Sequence, residues 1–173
     1  MVLRNMKIEV QVSNIVKQED IQAVVNSANA NLRLGSGVAG AIHGAAGIKL
    51  ERYCEQFAPL GLGKAIITPA FNLPNEFVIH TCAANYLLDD NAEAVLVECL
   101  NAVFTLANEN KIASLAIPAI GTGVFKFPLE LCAAIMATAI KENDGGTVQL
   151  VRICVTDEDV ATVFLTALSA AGI

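Results

Sequence analysis

The sequence predicts an α/β fold, a three-layer α/β/α sandwich with a mixed, mostly parallel central sheet. Short apolar runs alternate with helix-like patterns along the chain, which is typical of strands joined by crossover helices. The run Phe77–Cys82 is nearly continuous in apolar residues, as in a strand that is covered on both faces. Two glycine-rich turns also follow apolar strands, at the edge of such a sheet where ligands bind.

The strands are expected where short apolar runs are bounded by turn residues. The first run alternates, with Ile8, Val10 and Val12 on one face. Pro69 and Pro74 close the third run, and Gly145 with the next glycine marks the turn before the last. The expected bounds are 6–13, 22–26, 64–68, 77–82, 113–118 and 148–155.

The helices are expected between these strands. The first helical region divides into two segments near Gly47, and Pro128 suits the first turn of a later helix. Thr156 or Asp157 is expected to cap the last helix. The expected bounds are 38–57, 91–108, 127–141 and 157–170.

The composition indicates one folded domain over residues 1–173. Of these residues 54% are hydrophobic and 16% are charged, far from the composition of disordered chains. No apolar run reaches the length of a membrane span, and Met1–Asn5 lack the apolar segment of a signal peptide. We therefore expect a cytoplasmic protein with no membrane partner, and a monomer by default.

The charge balance argues against a nucleic-acid partner. The formal net charge is −6 and Lys and Arg do not cluster, whereas nucleic-acid binders neutralise phosphates with basic side chains. An anionic small ligand is still compatible with this charge, because helix N-termini and backbone N–H groups bind phosphate. The cysteines lack metal-ligand spacing and predict core packing, with no disulfide and no metal: Cys54, Cys82, Cys99, Cys132 and Cys154.

Two loops carry the functional signal. The strand ending at Val25 runs into Asn26-Ser27-Ala28-Asn29 and then into the glycine-rich segment 35–40. The strand Leu115–Ile120 runs into Gly121-Thr122-Gly123-Val124-Phe125. Glycines let backbone N–H groups approach an oxygen ligand closely, and the carboxyl ends of parallel strands meet at one edge. A glycine-rich turn before a helix is often only a turn, but two such loops predict one phosphate-binding crevice.

These motifs resemble the signature elements of the macro domain family. The resemblance rests on 26–29, 35–40, 41–47 and Pro118–Phe125, with 78–81 matching the family's middle strand, and it covers essentially the whole chain. It implies the macro domain fold and a site for ADP-ribose, with no cofactor beyond that ligand. Many members hydrolyse ADP-ribose from modified proteins or deacetylate O-acetyl-ADP-ribose. The first loop lacks the cysteines of the zinc-dependent members.

The resemblance also implies roles for individual residues. Asn29 would orient the distal ribose for catalysis, Phe125 would pack on that ribose, and Asn26 would bond backbone and hold the loop. An alternative for Phe125 is capping of the core, and a turn-stabilising bond is the alternative for either asparagine. The implied ligand-binding residues are Asn14, Ile15, Ser27, Gly35, Ser36, Gly37, Val38, Ala39, Pro118, Gly121, Thr122, Gly123, Val124, Phe125 and Thr156.

Three positions depart from the family pattern. Asn14 stands where members usually have an acidic residue that accepts from the adenine amino group, and its neutral amide should weaken binding by roughly 1 kcal/mol. Ala39 stands where MacroD-type hydrolases have a catalytic aspartate, although other members have alanine there. Thr156 lies where several relatives place an aromatic ring. His43 and His80 are expected to be structural rather than catalytic.

The resulting hypothesis is a hydrolase that removes mono-ADP-ribose from acidic side chains. A non-catalytic reader of ADP-ribosylation, or a sensor of free ADP-ribose, is the main alternative, since Ala39 and Asn14 both favour it. A structural domain with an inactive pocket is a third hypothesis, because one fold can host unrelated roles. The partners implied are ADP-ribose or ADP-ribosylated proteins.

Overall fold

The computed structural model describes residues 6–173, which form six strands and five α-helices. The strands are β1 (Lys7–Val12), β2 (Ala23–Ser27), β3 (Ala65–Pro69), β4 (Phe77–Thr81), β5 (Ser114–Ile117) and β6 (Leu150–Val155). The helices are α1 (Gly37–Ala46), α2 (Ile48–Cys54), α3 (Ala92–Glu109), α4 (Leu129–Glu142) and α5 (Glu158–Ala170). Because α1 ends at Ala46 and α2 begins at Ile48, the predicted division of 38–57 at Gly47 is confirmed, and a 3-10 turn, Glu55–Phe57, follows α2.

The strands form one mixed sheet in the order β1-β6-β5-β2-β4-β3. Only the edge pair β3–β4 is antiparallel, and every other pair is parallel. The predicted mixed, mostly parallel sheet is therefore confirmed. Because β2, β5 and β6 run the same way side by side, their carboxyl ends meet at one edge of the sheet.

Helices cover both faces of the sheet. Adjacent strand residues point to opposite faces, so Val25 lies in the core cluster with α3, α4 and α5, and Val24 lies in the cluster with α1 and α2. Phe104 of α3 is fully buried in the larger cluster, as Ile42 of α1 is in the smaller. This arrangement confirms the three-layer sandwich. None of the helices within residues 6–173 combines the length and apolar character that crossing a bilayer requires.

The cysteines pack as the sequence predicts. All five are buried free thiols, and the pKa of the Cys132 thiol is raised by burial to about 12. A thiol with such a pKa stays protonated at neutral pH and is a poor nucleophile or metal ligand. The cysteines therefore contribute to the core as small apolar side chains.

Two helix starts refine the sequence predictions. Helix α4 begins at Leu129, and Pro128 precedes it as the N-cap with ψ 132°, so the prediction that Pro128 lies in the first turn is wrong. Helical geometry is disfavoured for the residue before a proline, which is consistent with a helix that begins after Pro128. Of the two candidate caps for α5, the structure uses Asp157, whose carboxylate accepts from the N–H of Val160 at 2.9 Å.

A buried hydrogen-bonded chain links three strands through His80. The amide Nδ2 of Asn26 lies 3.0 Å from His80 Nδ1, so it donates to that nitrogen. The ring proton is then on Nε2 and is donated to Thr68 Oγ1 at 3.0 Å, while that hydroxyl donates to the Pro69 carbonyl at 3.1 Å. The expectation that Asn26 bonds backbone is wrong, because the fully buried His80 ring occupies its amide.

These buried hydrogen bonds make the stability of the fold depend on the neutral form of His80. Burial, with a smaller contribution from His43, lowers the His80 pKa from 6.5 to about 3. The unfolded chain binds a proton at this histidine below about pH 6.5, while the folded chain stays neutral there. The contribution to stability is therefore complete above pH 6.5 and is lost as the pH falls towards 3.

We expect His80→Gln to flatten the pH dependence of the free energy of unfolding between pH 6.5 and 4.5. Urea denaturation at several pH values measures that free energy for both proteins. Glu9 and Asp20, whose pKa values are lowered chiefly by hydrogen bonds from Arg152, titrate in both proteins and cancel in the difference. Parallel pH profiles would contradict the assignment of this sensitivity to His80.

Candidate functional site

A cleft of about 890 Å³ opens at the carboxyl ends of β2, β5 and β6. Every residue predicted for the site lies in its lining, from Asn14 and Ile15 at one end to the glycine loops and Phe125. The sequence analysis missed further lining residues, namely Ser13, Ala28, Ala41, Ala119, Phe127, Leu129, Cys154, Val155 and Val160. The position of Cys154 and Val155 at the end of β6 was the signal for these two, since a parallel strand ends at the same edge.

The amino end of α1 faces the cleft without a cap. The side chain of its N-cap residue, Ser36, accepts no capping hydrogen bond from the described residues of the helix, whereas the Asp157 side chain caps α5. Among the α-helices of the described chain, α1 alone has no acidic residue in its first turn. The N–H of Gly40 is the first in α1 to donate back, to the Ser36 carbonyl, so the N–H groups of 37–39 bond no acceptor in the described residues. They are thus left as donors at the positive end of the helix.

Glycines bring this helix close to the first loop. A Cβ on Gly40 would lie 2.3 Å from the carbonyl oxygen of Gly35, so only glycine allows this approach. Gly37 has φ +58°, a left-handed conformation that favours glycine, and a Cβ there would meet no atom within 4 Å. The glycines therefore have different roles, one in packing and one at the surface of the cleft.

The second loop is fixed by its own backbone and hydroxyl groups. Gly121 has φ +80°, and its carbonyl accepts from the N–H of Phe127 at 2.9 Å. The Thr122 hydroxyl donates to the Ala119 carbonyl at 2.8 Å. Ser27 Oγ accepts from the N–H of Gly121 at 3.4 Å, which links this loop to the end of β2. The N–H groups of 123–125 bond no acceptor in the described residues.

Phe125 lies between the cleft and the core. Its side chain is half-buried against the larger core cluster and also lines the cleft, so the two roles considered for it are compatible. The carbonyl of Phe125 accepts from the N–H of Tyr86 at 2.8 Å. The Tyr86 ring packs edge-on against Phe127 with centroids 5.0 Å apart. The position of Phe125 is thus fixed by the segment that follows β4.

Asn29 makes local turn bonds, which is the alternative role predicted for it from the sequence. Its Nδ2 donates to the Arg33 carbonyl at 2.7 Å, and its Oδ1 accepts from the Arg33 N–H at 3.0 Å. Nδ2 also lies 3.0 Å from the position of a Cβ on Gly35. An amide has two protons and two lone pairs, so one of each is left for a ligand. The side chain is held in place at the wall of the cleft.

The other end of the cleft is formed by Asn14, Ile15 and Thr156. The Oδ1 atom of Asn14 accepts from the N–H of Val16 at 3.1 Å, which fixes the amide against its own turn. Ile15 is buried, and Thr156 is exposed beyond the end of β6. This end contains no aromatic side chain among the described lining residues.

The lining is almost free of ionisable groups. Among the described residues that form it, Cys154 alone carries one, and burial raises the pKa of that thiol. His43 and His80 lie outside the lining, and burial lowers the pKa of both. The described residues also bring no three His, Cys, Asp or Glu side chains together in a way that could hold a metal ion. The electrostatics of the cleft therefore come from backbone N–H groups and the α1 dipole.

Comparisons with known proteins match this fold and cleft. The model of the Macro domain family matches residues 25–136. A macro domain-containing protein of Chlorobaculum tepidum, CT2219, is 37% identical over 154 residues, which cover 87% of this chain and 89% of that protein. The ADP-ribose glycohydrolase MACROD2 of Xenopus laevis is 38% identical over 129 residues, which cover 73% of this chain and 31% of that protein.

A solved structure agrees with these sequence relatives. A glycine-to-valine variant of the Oceanobacillus iheyensis macrodomain with ADPR superimposes with a TM-score of 0.92 at 31% identity, covering 98% of this chain and 96% of that one. The family model spans more than half of the chain, and the fold agrees along nearly its full length. The chain therefore belongs to the macro domain family.

Proposed function

We propose that this chain binds ADP-ribose in the cleft and hydrolyses mono-ADP-ribose esters, either on acidic side chains of proteins or as O-acetyl-ADP-ribose. The observation that carries the proposal is that two sets of backbone N–H groups, at 37–39 and 123–125, bond no acceptor in the described residues and adjoin one cleft, whose described lining has almost no ionisable side chain. The ADPR of the Oceanobacillus relative and the glycohydrolase activity in the name of the Xenopus relative support it.

The two loops would hold the diphosphate. A hydrogen bond from a backbone N–H to a charged oxygen contributes about 1.5–3 kcal/mol, and an uncapped helix end adds about 0.3–1 kcal/mol. The described lining has no basic side chain, so the phosphates would be bound by backbone N–H groups. Because these donors have fixed directions, they would select the orientation of the diphosphate as well as its charge. This suits a diphosphate with a sugar on each side, which must lie along the cleft.

The distal ribose would lie between Asn29 and Phe125. The amide of Asn29 keeps one donor and one acceptor for the ribose hydroxyls, and its bonds to Arg33 hold it in one orientation. The ring of Phe125 would pack against the sugar. Both side chains are fixed before the ligand binds, which lowers the entropy lost on binding.

Hydrolysis would then depend on position rather than on a side-chain base. A water held against the diphosphate would attack C1″ of the distal ribose, and the bond from C1″ to the carboxyl oxygen would break. The carboxylate leaves, and the proton of the water passes to a phosphate oxygen. A water fixed in line with the bond supplies much of the rate enhancement, since effective molarities reach about 10⁵ M or more. No residue in this scheme requires a metal.

The alternative is a non-catalytic reader of ADP-ribosylation. Ala39 favours it, because this residue lines the cleft at the first turn of α1 and offers no acid or base. Both hypotheses place ADP-ribose in the same cleft, so only a measurement of ADP-ribose release distinguishes a hydrolase from a reader. The single domain, the monomer and the cytoplasmic location remain predictions of the sequence, as does the lack of a nucleic-acid partner.

We expect Gly123→Val to weaken ADP-ribose binding at least tenfold, a loss of roughly 1.4 kcal/mol. Gly123 lines the cleft, is not in the left-handed region, and its added Cβ would meet no protein atom within 4 Å. The fold should therefore tolerate the side chain, while the branched methyl groups occupy space that a phosphate needs. Isothermal titration calorimetry measures the affinity, and the thermal midpoint monitors the fold.

Gly44→Val is the matched control for this substitution. Gly44 lies in α1 outside the cleft lining, and an added Cβ there also meets no atom within 4 Å. It should leave the affinity unchanged. Equal affinities for the wild-type chain, Gly123→Val and Gly44→Val would place the phosphates elsewhere.

We expect Asn29→Ala to abolish release of ADP-ribose from a protein that is mono-ADP-ribosylated on acidic residues, while much of the binding persists. The diphosphate contacts come from the loops, whereas Asn29 positions the ribose whose C1″ reacts. Asn110→Ala is a matched control, because Asn110 also bonds a backbone carbonyl through its amide but lies at the opposite edge of the sheet. Binding without release by the wild-type chain would favour the reader.

A further inference from the structure

A buried arginine lies behind one end of the cleft. Arg152 of β6 is 7% exposed, and its guanidinium donates to two carboxylates. Nε bonds Glu9 at 2.8 Å, and Nη1 and Nη2 bond the two oxygens of Asp20 at 2.7 and 2.8 Å. Such a bidentate pair fixes the plane of the guanidinium. The pKa of Arg152 is raised, chiefly by the hydrogen bond to Asp20, so the side chain is always charged.

The arginine determines the orientation of the Gln18 amide. Nη1 of Arg152 also lies 3.0 Å from Gln18 Oε1, and Gln18 is only 4% exposed. A guanidinium can only donate, so the amide oxygen must face it and the amide nitrogen must face away. A glutamine in this position therefore has one allowed orientation.

The amide nitrogen then holds the segment that forms the end of the cleft. Gln18 Nε2 donates to the Asn14 carbonyl at 2.7 Å and to Ser13 Oγ at 3.2 Å. Both of these residues line the cleft. The Asn14 carbonyl also accepts from the N–H of Lys17 at 3.0 Å. The exposed Asn14 turn is thus held by hydrogen bonds that run through the buried Gln18 amide to the Arg152 guanidinium.

We propose that Gln18 is a positioning residue for the base-binding end of the cleft. It acts through Asn14. The strength of a hydrogen bond from the ligand to this neutral amide depends more on its geometry than that of a bond to a carboxylate would, because the amide lacks the attraction of a full charge. This inference rests on the proposed binding of ADP-ribose, with the adenine at the Asn14 end. It assigns buried Arg152, with its partners Glu9 and Asp20, a role in ligand binding as well as in stability.

Gln18→Glu tests the proposal. A carboxylate keeps a partner for Arg152 but cannot donate to the Asn14 carbonyl or Ser13 Oγ. We expect ADP-ribose affinity to fall about tenfold, within the range for one buried hydrogen bond, as measured by calorimetry. Amide NMR spectra of the ADP-ribose complexes should differ from wild type at Ile15 and Thr156 and coincide at Gly37 and Gly123. A general structural defect would move all four signals.

Gln56→Glu is the matched control, because Gln56 is exposed in the 3-10 turn and bonds only the nearby Tyr53 carbonyl. It should leave both the affinity and the spectra unchanged. Gln18→Met removes the same donor without adding charge, and it replaces Gln18→Glu if the latter does not fold. Wild-type affinity in either Gln18 variant, or equal changes at both ends of the cleft, would overturn the inference. Failure of the wild-type chain to bind ADP-ribose would instead overturn the proposed function.

Discussion

The close approach of α1 to the first loop is the constraint on which the site depends. Gly40 lies where a Cβ would be 2.3 Å from the Gly35 carbonyl, so a larger residue would push the helix away from the loop. With the helix in this position, the N–H groups of 37–39 open into the cleft instead of meeting a cap. Ser27, at the end of β2, bonds Gly121 of the second loop, and residues of both sets of donors line the same cleft.

The chain is acidic, but the described lining of the cleft contains no Asp or Glu. The net charge is −6, yet the acidic residues that begin other helices are absent from the first turn of α1. An acidic side chain there would neutralise the helix end and repel a phosphate. Recognition through backbone dipoles also explains how an acidic protein can offer a site for an anion. Such dipoles are fixed by the fold and need no reorganisation when a ligand binds.

Much of this structure could be predicted from the sequence because it depends on local patterns. The strand predicted at 77–82 follows from a nearly continuous apolar run and is observed at Phe77–Thr81, and the division at Gly47 follows from glycine placement and is confirmed. The partner of Asn26 could not be predicted, because it depends on which strand lies alongside. For Asn29 a turn-stabilising bond is one of the two predicted alternatives, but its partner Arg33 depends on how the turn folds back. Parallel pairing of β2 with β4 places His80 beside Asn26, a contact between residues 54 apart in the sequence. The contact of Arg152 with Gln18 is longer-range still.

A crystal structure of this chain with ADP-ribose bound would test the proposed anion site directly. We expect diphosphate oxygens to lie within about 2.7–3.2 Å of the backbone nitrogens of Val38, Ala39 and one or more of residues 123–125. We also expect the distal ribose against Asn29 and Phe125. A diphosphate held instead by exposed basic side chains such as Lys126, with the α1 nitrogens facing water, would contradict the central claim that an uncapped helix end and two loops form the anion site.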